Sequence, residues 1–266
     1  MILIIAEKPS LARNIVAGIG NLTKKNGYFE GMGYIVTWAF GHLFSLYDMD
    51  EYEDNRAENG EKSSWSLEKL PYYPEPFKFT LRHGKDGTVD AGVKQQFEII
   101  KQLIMRQDVD TVVNAGDADR EGEIIVRLCM QNAYGCDTGS DEALRQEGKS
   151  FKRLWLPDQT PETVKKALTE LKPETDYNNL SGEGFARMYI DWLYGINLSR
   201  YATLKSGKLL RVGRVIVPVV KAIYDRDMAI RYFVPEKYYN ISSQEETKGC
   251  RVVLNSKLRF GKDELG

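Results

Sequence analysis

Asp117, Asp119 and Glu121 alternate along the run Val112-Val113-Asn114-Ala115-Gly116-Asp117-Ala118-Asp119-Arg120-Glu121-Gly122-Glu123. Carboxylates crowded this closely repel one another, and a cation relieves the repulsion. Mg²⁺ is commonly held by one or two carboxylates together with waters and phosphate oxygens, so the run is a candidate magnesium site. Two plainer readings compete with it. Acids in the first turn of a helix complement its dipole, by about 0.3–1 kcal/mol each, and that accounts for Glu121 and Glu123 taken alone. An Asp-x-Asp pair also suits an aspartyl-phosphate enzyme. A further carboxylate, Glu7, opens Glu7-Lys8-Pro9-Ser10 directly after an apolar run. If the two apolar runs are neighbouring strands, Glu7 meets the acidic run across the edge of the sheet. There a raised pKa suits a general acid or base, and Lys8 reaches a phosphate or orients Glu7. The alternative is an exposed Glu-Lys pair.

The elements that must position these residues follow from periodicity and punctuation. Ile2–Ala6 predicts a central strand, with a helix over residues 11–19 capped by Ser10. Residues 34–40 and 109–114 predict strands, and Val93, Phe97, Ile100 and Ile104 have helical spacing. A helix over 121–129 follows the acidic run, and a strand is expected at 151–156. Thr160 then caps a helix with Pro161 in its first position. Residues 48–66 and 135–150 read as polar loops. This alternation argues for an α/β fold with a mostly parallel, Rossmann-like sheet. Ligands of such sheets bind at the carboxyl ends of the strands, where Glu7 and Asp117 fall. From 184 to about 231 the pattern is helical almost throughout. Residues 238–242 and 251–254 read as strands of a unit that has hardly begun, so the end of the chain is expected to fray or pair irregularly.

The 266 residues are 42% hydrophobic and 28% charged, which is ordinary for a globular protein with a core. The apolar runs are too short to span a bilayer, and the N-terminus lacks the basic start of a signal peptide. Three cysteines without CxxC spacing and only two histidines argue against a disulfide framework or a Cys/His zinc site. A reducing, cytoplasmic compartment is expected. The net charge of −1 gives no global reason for nucleic acid. Locally, residues 48–61 hold seven acids against Arg56 alone, whereas residues 181–235 hold nine Lys/Arg against four Asp/Glu. The second bias makes either a phosphate-binding groove or a solvated face.

A strand ending in Glu, followed much later by one ending in Asp-x-Asp-x-Glu, resembles the Toprim domain. The wording is narrower still. Ala6-Glu7-Lys8-Pro9-Ser10-Leu11-Ala12, Gly116–Glu123 as written above, Thr37-Trp38-Ala39-Phe40-Gly41-His42-Leu43 and Arg153-Leu154-Trp155 resemble type IA DNA topoisomerases of the topoisomerase III branch. So do Phe185-Ala186-Arg187 with Asp191-Trp192-Leu193-Tyr194-Gly195, Val212-Gly213-Arg214-Val215 and Phe233-Val234-Pro235. The resemblance spans roughly residues 1–240. It implies a Toprim domain over 1–156, a helical DNA-binding segment over 157–234 and an incomplete β arch domain over 235–266. It further implies Mg²⁺ on Asp117, Asp119 and Glu121. Glu7 would be the proton donor to the leaving 3′ oxygen, and Lys8 would stabilise the phosphoryl group. Arg187, Arg200 and Arg214 would be phosphate contacts, with Asp191 buttressing Arg187 and with Arg211 and His42 as further DNA-side candidates. For each arginine a structural ion pair is an equal alternative, and for His42 a packed position.

The implied activity is strand cleavage through a 5′-phosphotyrosine ester, relaxing or decatenating DNA without ATP. The implied partner is a single-stranded DNA segment; the expected protein is a monomer, with no membrane and no nucleotide cofactor. Trp38, Trp155 and Trp192 read as core rather than as base-stacking platforms. Three departures from the family pattern stand out. No tyrosine here has a Tyr-Pro-Arg-Thr context, so the nucleophile is expected outside this chain. Ile216 and Val217 replace the polar pair of Gly-Arg-Val-Gln-Thr-Pro, while Arg211 stands where a small polar residue is common. Another Toprim enzyme, a nuclease or primase, and a non-catalytic DNA-binding protein are the rival readings.

Overall fold

The computed structural model describes residues 1–52, 65–84, 86–136, 142–146 and 148–261. Parts of both expected polar loops therefore lie outside the described residues. The chain divides into two compact units, Met1–Gly213 and Arg214–Gly266.

The first unit is built on β1 (Ile2–Ala6), α1 (Pro9–Ile19), β2 (Thr23–Lys24), β3 (Tyr28–Gly31), β4 (Tyr34–Trp38), β5 (Phe44–Leu46), α2 (Met49–Tyr52) and β6 (Phe79–Leu81). It continues with α3 (Ala91–Ile104), β7 (Thr111–Ala115), α4 (Arg120–Tyr134), β8 (Ser150–Arg153), α5 (Pro161–Thr169), β9 (Lys172–Pro173) and α6 (Asn178–Ser206). Seven strands form one sheet in the order β2-β3-β4-β1-β7-β8-β9. The central pairs β4–β1, β1–β7 and β7–β8 are parallel, and the outer strands are antiparallel. This is the mixed, mostly parallel α/β sheet expected from the alternation of elements.

Residues 3–6 of β1 are fully buried because both faces of the sheet are covered. Alternate side chains serve opposite layers, as the period of two requires. Leu3 and Ile5 pack with Phe97, Ile100, Ile104 and Ile124 beneath α3 and α4. Ile4 and Ala6 pack with Leu11, Ile15 and Val164 beneath α1 and α5. The register pairs Ala6 with Ala115, so the chain leaves β1 and β7 side by side at the same edge. Glu7 and Asp117 follow at once.

Three local expectations differ from what is found. Helix α1 begins at Pro9 with Lys8 in the capping position and no side-chain cap. Proline suits the first helical turn and brings no orphan N–H there, so the helix starts before Ser10 can cap it. The long helical stretch is broken: α6 ends at Ser206, and α7 (Ile216–Arg231) belongs to the second unit. Residues 242–255 form a regular antiparallel hairpin, β10 (Ser242–Thr247) with β11 (Cys250–Asn255), where fraying or irregular pairing was expected. Its two-residue turn has φ of 48° at Lys248 and 77° at Gly249, positive at both positions as a tight hairpin turn demands.

Candidate metal and phosphate site

Glu7 and Asp117 meet across the strand ends. The backbone N–H of Asp117 donates to Glu7 Oε2 at 3.1 Å, and Lys8 Nζ lies 2.5 Å from Asp117 Oδ2. Burial pushes the Glu7 carboxyl above its ordinary value; the Asp117 amide pulls the other way, and the Asp117 charge adds to the rise. The hydrogen bond to Asp117 raises Lys8. Burial thus biases Glu7 toward holding a proton, as a general acid must, while the Lys8 charge opposes that bias.

Asp119 closes the turn. It is the N-cap of α4, accepting from the N–H of Gly122 at 2.8 Å, an interaction worth about 1 kcal/mol. The turn is tight enough to require glycine on both sides. A Cβ on Gly116 would lie 1.9 Å from the Gly122 carbonyl oxygen, and one on Gly122 would lie 2.4 Å from the Asp117 nitrogen.

Glu121 looks outward. His42 Nε2 is 3.5 Å from its Oε2, and Arg187 Nε is 3.6 Å from its Oε1. Asp191 sits one turn beyond Arg187 at 3.9 Å. A line of partly exposed charges therefore runs from the strand ends along α4 onto α6.

Among the described residues no three His, Cys, Asp or Glu side chains converge as a ready metal cage. The expected set of Asp117, Asp119 and Glu121 is divided, each carboxylate having taken a local donor or cation. The donor chemistry still fits a hard divalent ion completed by water and phosphate oxygens, and the Lys8 ammonium on Asp117 shows that this carboxylate attracts a cation. Asp117 and Asp119, with Glu7 beside them, are the residues that would hold it.

The remaining predicted residues divide. His42, Arg187 and Asp191 join the site as described. Arg200 does not: its guanidinium is buried, bonded to Asp48 at 3.1 Å and Asp50 at 3.0 Å, and lies 4.6 Å over the ring of Trp65. Its charge is committed to a structural ion pair, the alternative its sequence left open. Arg211 is exposed after α6, and Arg214 is an exposed residue opening the second unit. Trp192 packs in an aromatic cluster with Tyr52, Tyr72 and Phe77, as a core role implies. Trp155 differs, being 36% exposed.

The buried network under the loop was not anticipated from the residue pattern. Arg153 is fully buried and donates to the carbonyls of Asn114, Gly116 and Asp117 at 3.1, 3.0 and 2.8 Å, and to Glu123 Oε2 at 2.8 Å. Glu123 also receives Arg127 at 3.0 Å, and Asn114 donates to Glu174 Oε1 at 2.8 Å. Burial, followed by the charge of Glu123, raises the Glu174 carboxyl well above its ordinary value. The only available signal was charge inside otherwise apolar segments, Arg153 in a strand and Glu123 in a helix.

The Toprim domain family model matches residues 2–154, and the DNA topoisomerase family model matches residues 175–264. The chain is 36% identical over 240 residues to DNA topoisomerase 3 of Staphylococcus epidermidis, covering 90% of this chain and 30% of that protein. It is 37% identical over 239 residues to DNA topoisomerase 3 of Shouchella clausii, covering 90% and 29%. Against the putative DNA topoisomerase 3 of Staphylococcus aureus it is 36% identical over 262 residues, covering 98% and 33%. The chain thus spans about a third of the length of the curated relatives it matches.

Proposed function

The chain belongs to the Toprim-containing DNA topoisomerases of type IA, and from that premise we propose that it carries the metal and proton-transfer half of an enzyme that cuts and rejoins one DNA strand. The observation that carries the proposal is the meeting of Glu7, Lys8 and Asp117 at the carboxyl ends of two adjacent parallel strands.

In the proposed reaction a tyrosine outside residues 1–266 attacks the scissile phosphorus. The new P–O bond forms as the bond to the 3′ oxygen breaks, and the phenol proton passes to solvent water. Glu7 gives a proton to the departing 3′ oxygen and takes it back when the strand is rejoined. Its raised pKa keeps it protonated more often than an exposed glutamate. Lys8 places its charge against the phosphoryl oxygens as they become more negative. Asp117 and Asp119, with Glu121 at the rim, would hold a divalent ion, which we assign as Mg²⁺ and which would supply positive charge beside the phosphate when bound. Arg187, supported by Asp191, and the exposed Arg211 and Arg214 would contact the backbone of a single-stranded segment. His42 would hold Glu121 in place. No nucleotide is needed, because the phosphotyrosine ester conserves the bond energy. A cytoplasmic monomer that relaxes or decatenates DNA completes the proposal; no helix of the described residues is long and apolar enough to cross a membrane.

The deciding experiment is a calorimetric Mg²⁺ titration of this chain and its Asp117→Asn/Asp119→Asn variant. Heat of binding lost in the variant supports the metal assignment. Equal heats, or none in either protein, would make the carboxylates structural and favour a non-catalytic DNA-binding role.

A further inference from the structure

Resting on the DNA-cleaving role proposed above, we propose that the outward face of Trp155 is a stacking platform for one unpaired base of the bound strand. Trp155 lies two residues past the end of β8, the strand beside β7, at the same edge of the sheet as the acidic loop. It lines a cleft of about 380 Å³ together with Asp119, Arg120, Glu121, Leu180 and Arg187. The volume falls in the range of small-ligand sites. Two of the carboxylates of the acidic centre form its wall, so a base in this cleft belongs to a nucleotide close to the scissile phosphate.

The ring is held by contacts on one side. Tyr177 stacks on it with centroids 5.4 Å apart and planes 21° from parallel. The Arg153 guanidinium lies 5.0 Å from the indole centroid and 5.8 Å from that of Tyr177. Arg153 and Tyr177 are too close to each other to lie on opposite faces of the indole. One face is therefore fixed against the buried network, and the other is left to the cleft, in keeping with the 36% exposure of the residue. An indole already immobilised loses little further freedom when a base settles on it.

The rest of the lining suits a nucleotide. Leu180 adds an apolar surface, and Arg120 and Arg187 bring cations for the flanking phosphates. Arg120 is paired with Glu183, and Arg187 with Glu121 and Asp191, so phosphates would exchange with carboxylates already there. Stacking accepts any base, because each has a π-face, but it needs a base that is not already stacked within a duplex. The platform thus selects single strands without selecting sequence.

The test measures binding of a fluorescent single-stranded oligonucleotide to the full chain in Mg²⁺, using wild type, Trp155→Phe and Trp155→Leu. A parallel series of oligonucleotides carries one abasic site at each position in turn. Stacking contributes about 1–3 kcal/mol per base, so Trp155→Leu should weaken binding about tenfold. Trp155→Phe should stay within about threefold of wild type, since a smaller ring still stacks. In wild type one abasic position should cost as much as Trp155→Leu, and in Trp155→Leu that position should become silent. Equal binding by wild type and Trp155→Leu, or an equal loss in Trp155→Phe and Trp155→Leu, overturns the platform while leaving the DNA-cleaving role standing. If Trp155→Leu does not fold, the abasic series on wild type and Trp155→Phe decides: no position-specific loss overturns the inference. Absence of single-strand binding by wild type itself overturns the DNA reading and this inference with it.

Discussion

Lys8 Nζ lies 2.5 Å from Asp117 Oδ2, so the cation following one strand neutralises the carboxylate following its neighbour. A divalent ion on Asp117 must share the carboxylate with this ammonium and is opposed by its charge. The pair is partly exposed, with side-chain accessibilities of 41% and 30%, so its strength is that of a screened ion pair, about 0.2–1 kcal/mol. Lys8→Ala should therefore tighten Mg²⁺ binding by about 1.5- to 5-fold, read by calorimetry at constant ionic strength. Weaker binding in Lys8→Ala would mean that the ammonium shapes the site rather than competing for it.

Arg153 anchors the loop from below. Replacing it by Met leaves Glu123 buried with one fewer cation and frees the carbonyls of Gly116 and Asp117. Removing one partner of a buried pair costs about 3–5 kcal/mol. The thermal transition should fall by about 10 °C for a unit of this size. Mg²⁺ affinity should fall as well, measured well below the new transition, because the Asp117 backbone loses its support. A stable variant with unchanged metal binding would remove Arg153 from the positioning of the loop.

How much of this was legible follows from the range of each interaction. Strand ends are local features, so Glu7 and Asp117 could be placed at one edge from apolar runs and their punctuation alone. Their meeting needed only β1 and β7 to be neighbours, which a parallel sheet supplies. Partner choice over long separations was not legible. Glu123 meets Arg153 thirty residues on, and Arg200 meets Asp48 and Asp50 about 150 residues back. Trp155 was read as core because tryptophan usually is; its exposed face depends on where Tyr177 and Arg153 settle. The hairpin of the second unit was half read: the strand expected at 251–254 falls within β11, whereas β10, Ser-Ser-Gln-Glu-Glu-Thr, is polar along its length and carried no apolar signal. Its turn, Lys248-Gly249, held the information instead.

Arg200 illustrates the difference between a basic residue and a binding residue. Its guanidinium is buried, whereas Asp48 keeps 58% of its side chain exposed. Arg200→Met should cost about 1–3 kcal/mol, less than a fully buried pair, because the released acids can be hydrated. The transition should drop by about 5 °C. Single-strand affinity at low temperature should remain within twofold of wild type. A large loss of DNA binding at unchanged stability would return Arg200 to the phosphate-contacting set.

Glu174 sets a pH dependence whose sign can be worked out. Burial first, then the Glu123 charge, raise its carboxyl well above the ordinary value of 4.5, with Arg127 opposing. Its Oε2 is buried without a hydrogen-bond partner, so a negative charge on that oxygen would go unsolvated. The folded state thus binds this proton more tightly than the unfolded chain. The resulting stabilisation is complete below about pH 4.5 and is lost as pH rises through the folded-state value. Glu174→Gln keeps an acceptor for Asn114 and a donor toward Glu123, and it does not titrate. The variant should melt close to wild type in acid and progressively above it as pH increases. Parallel melting curves across that range would show that Glu174 is ionised in the fold and that Arg127 outweighs burial.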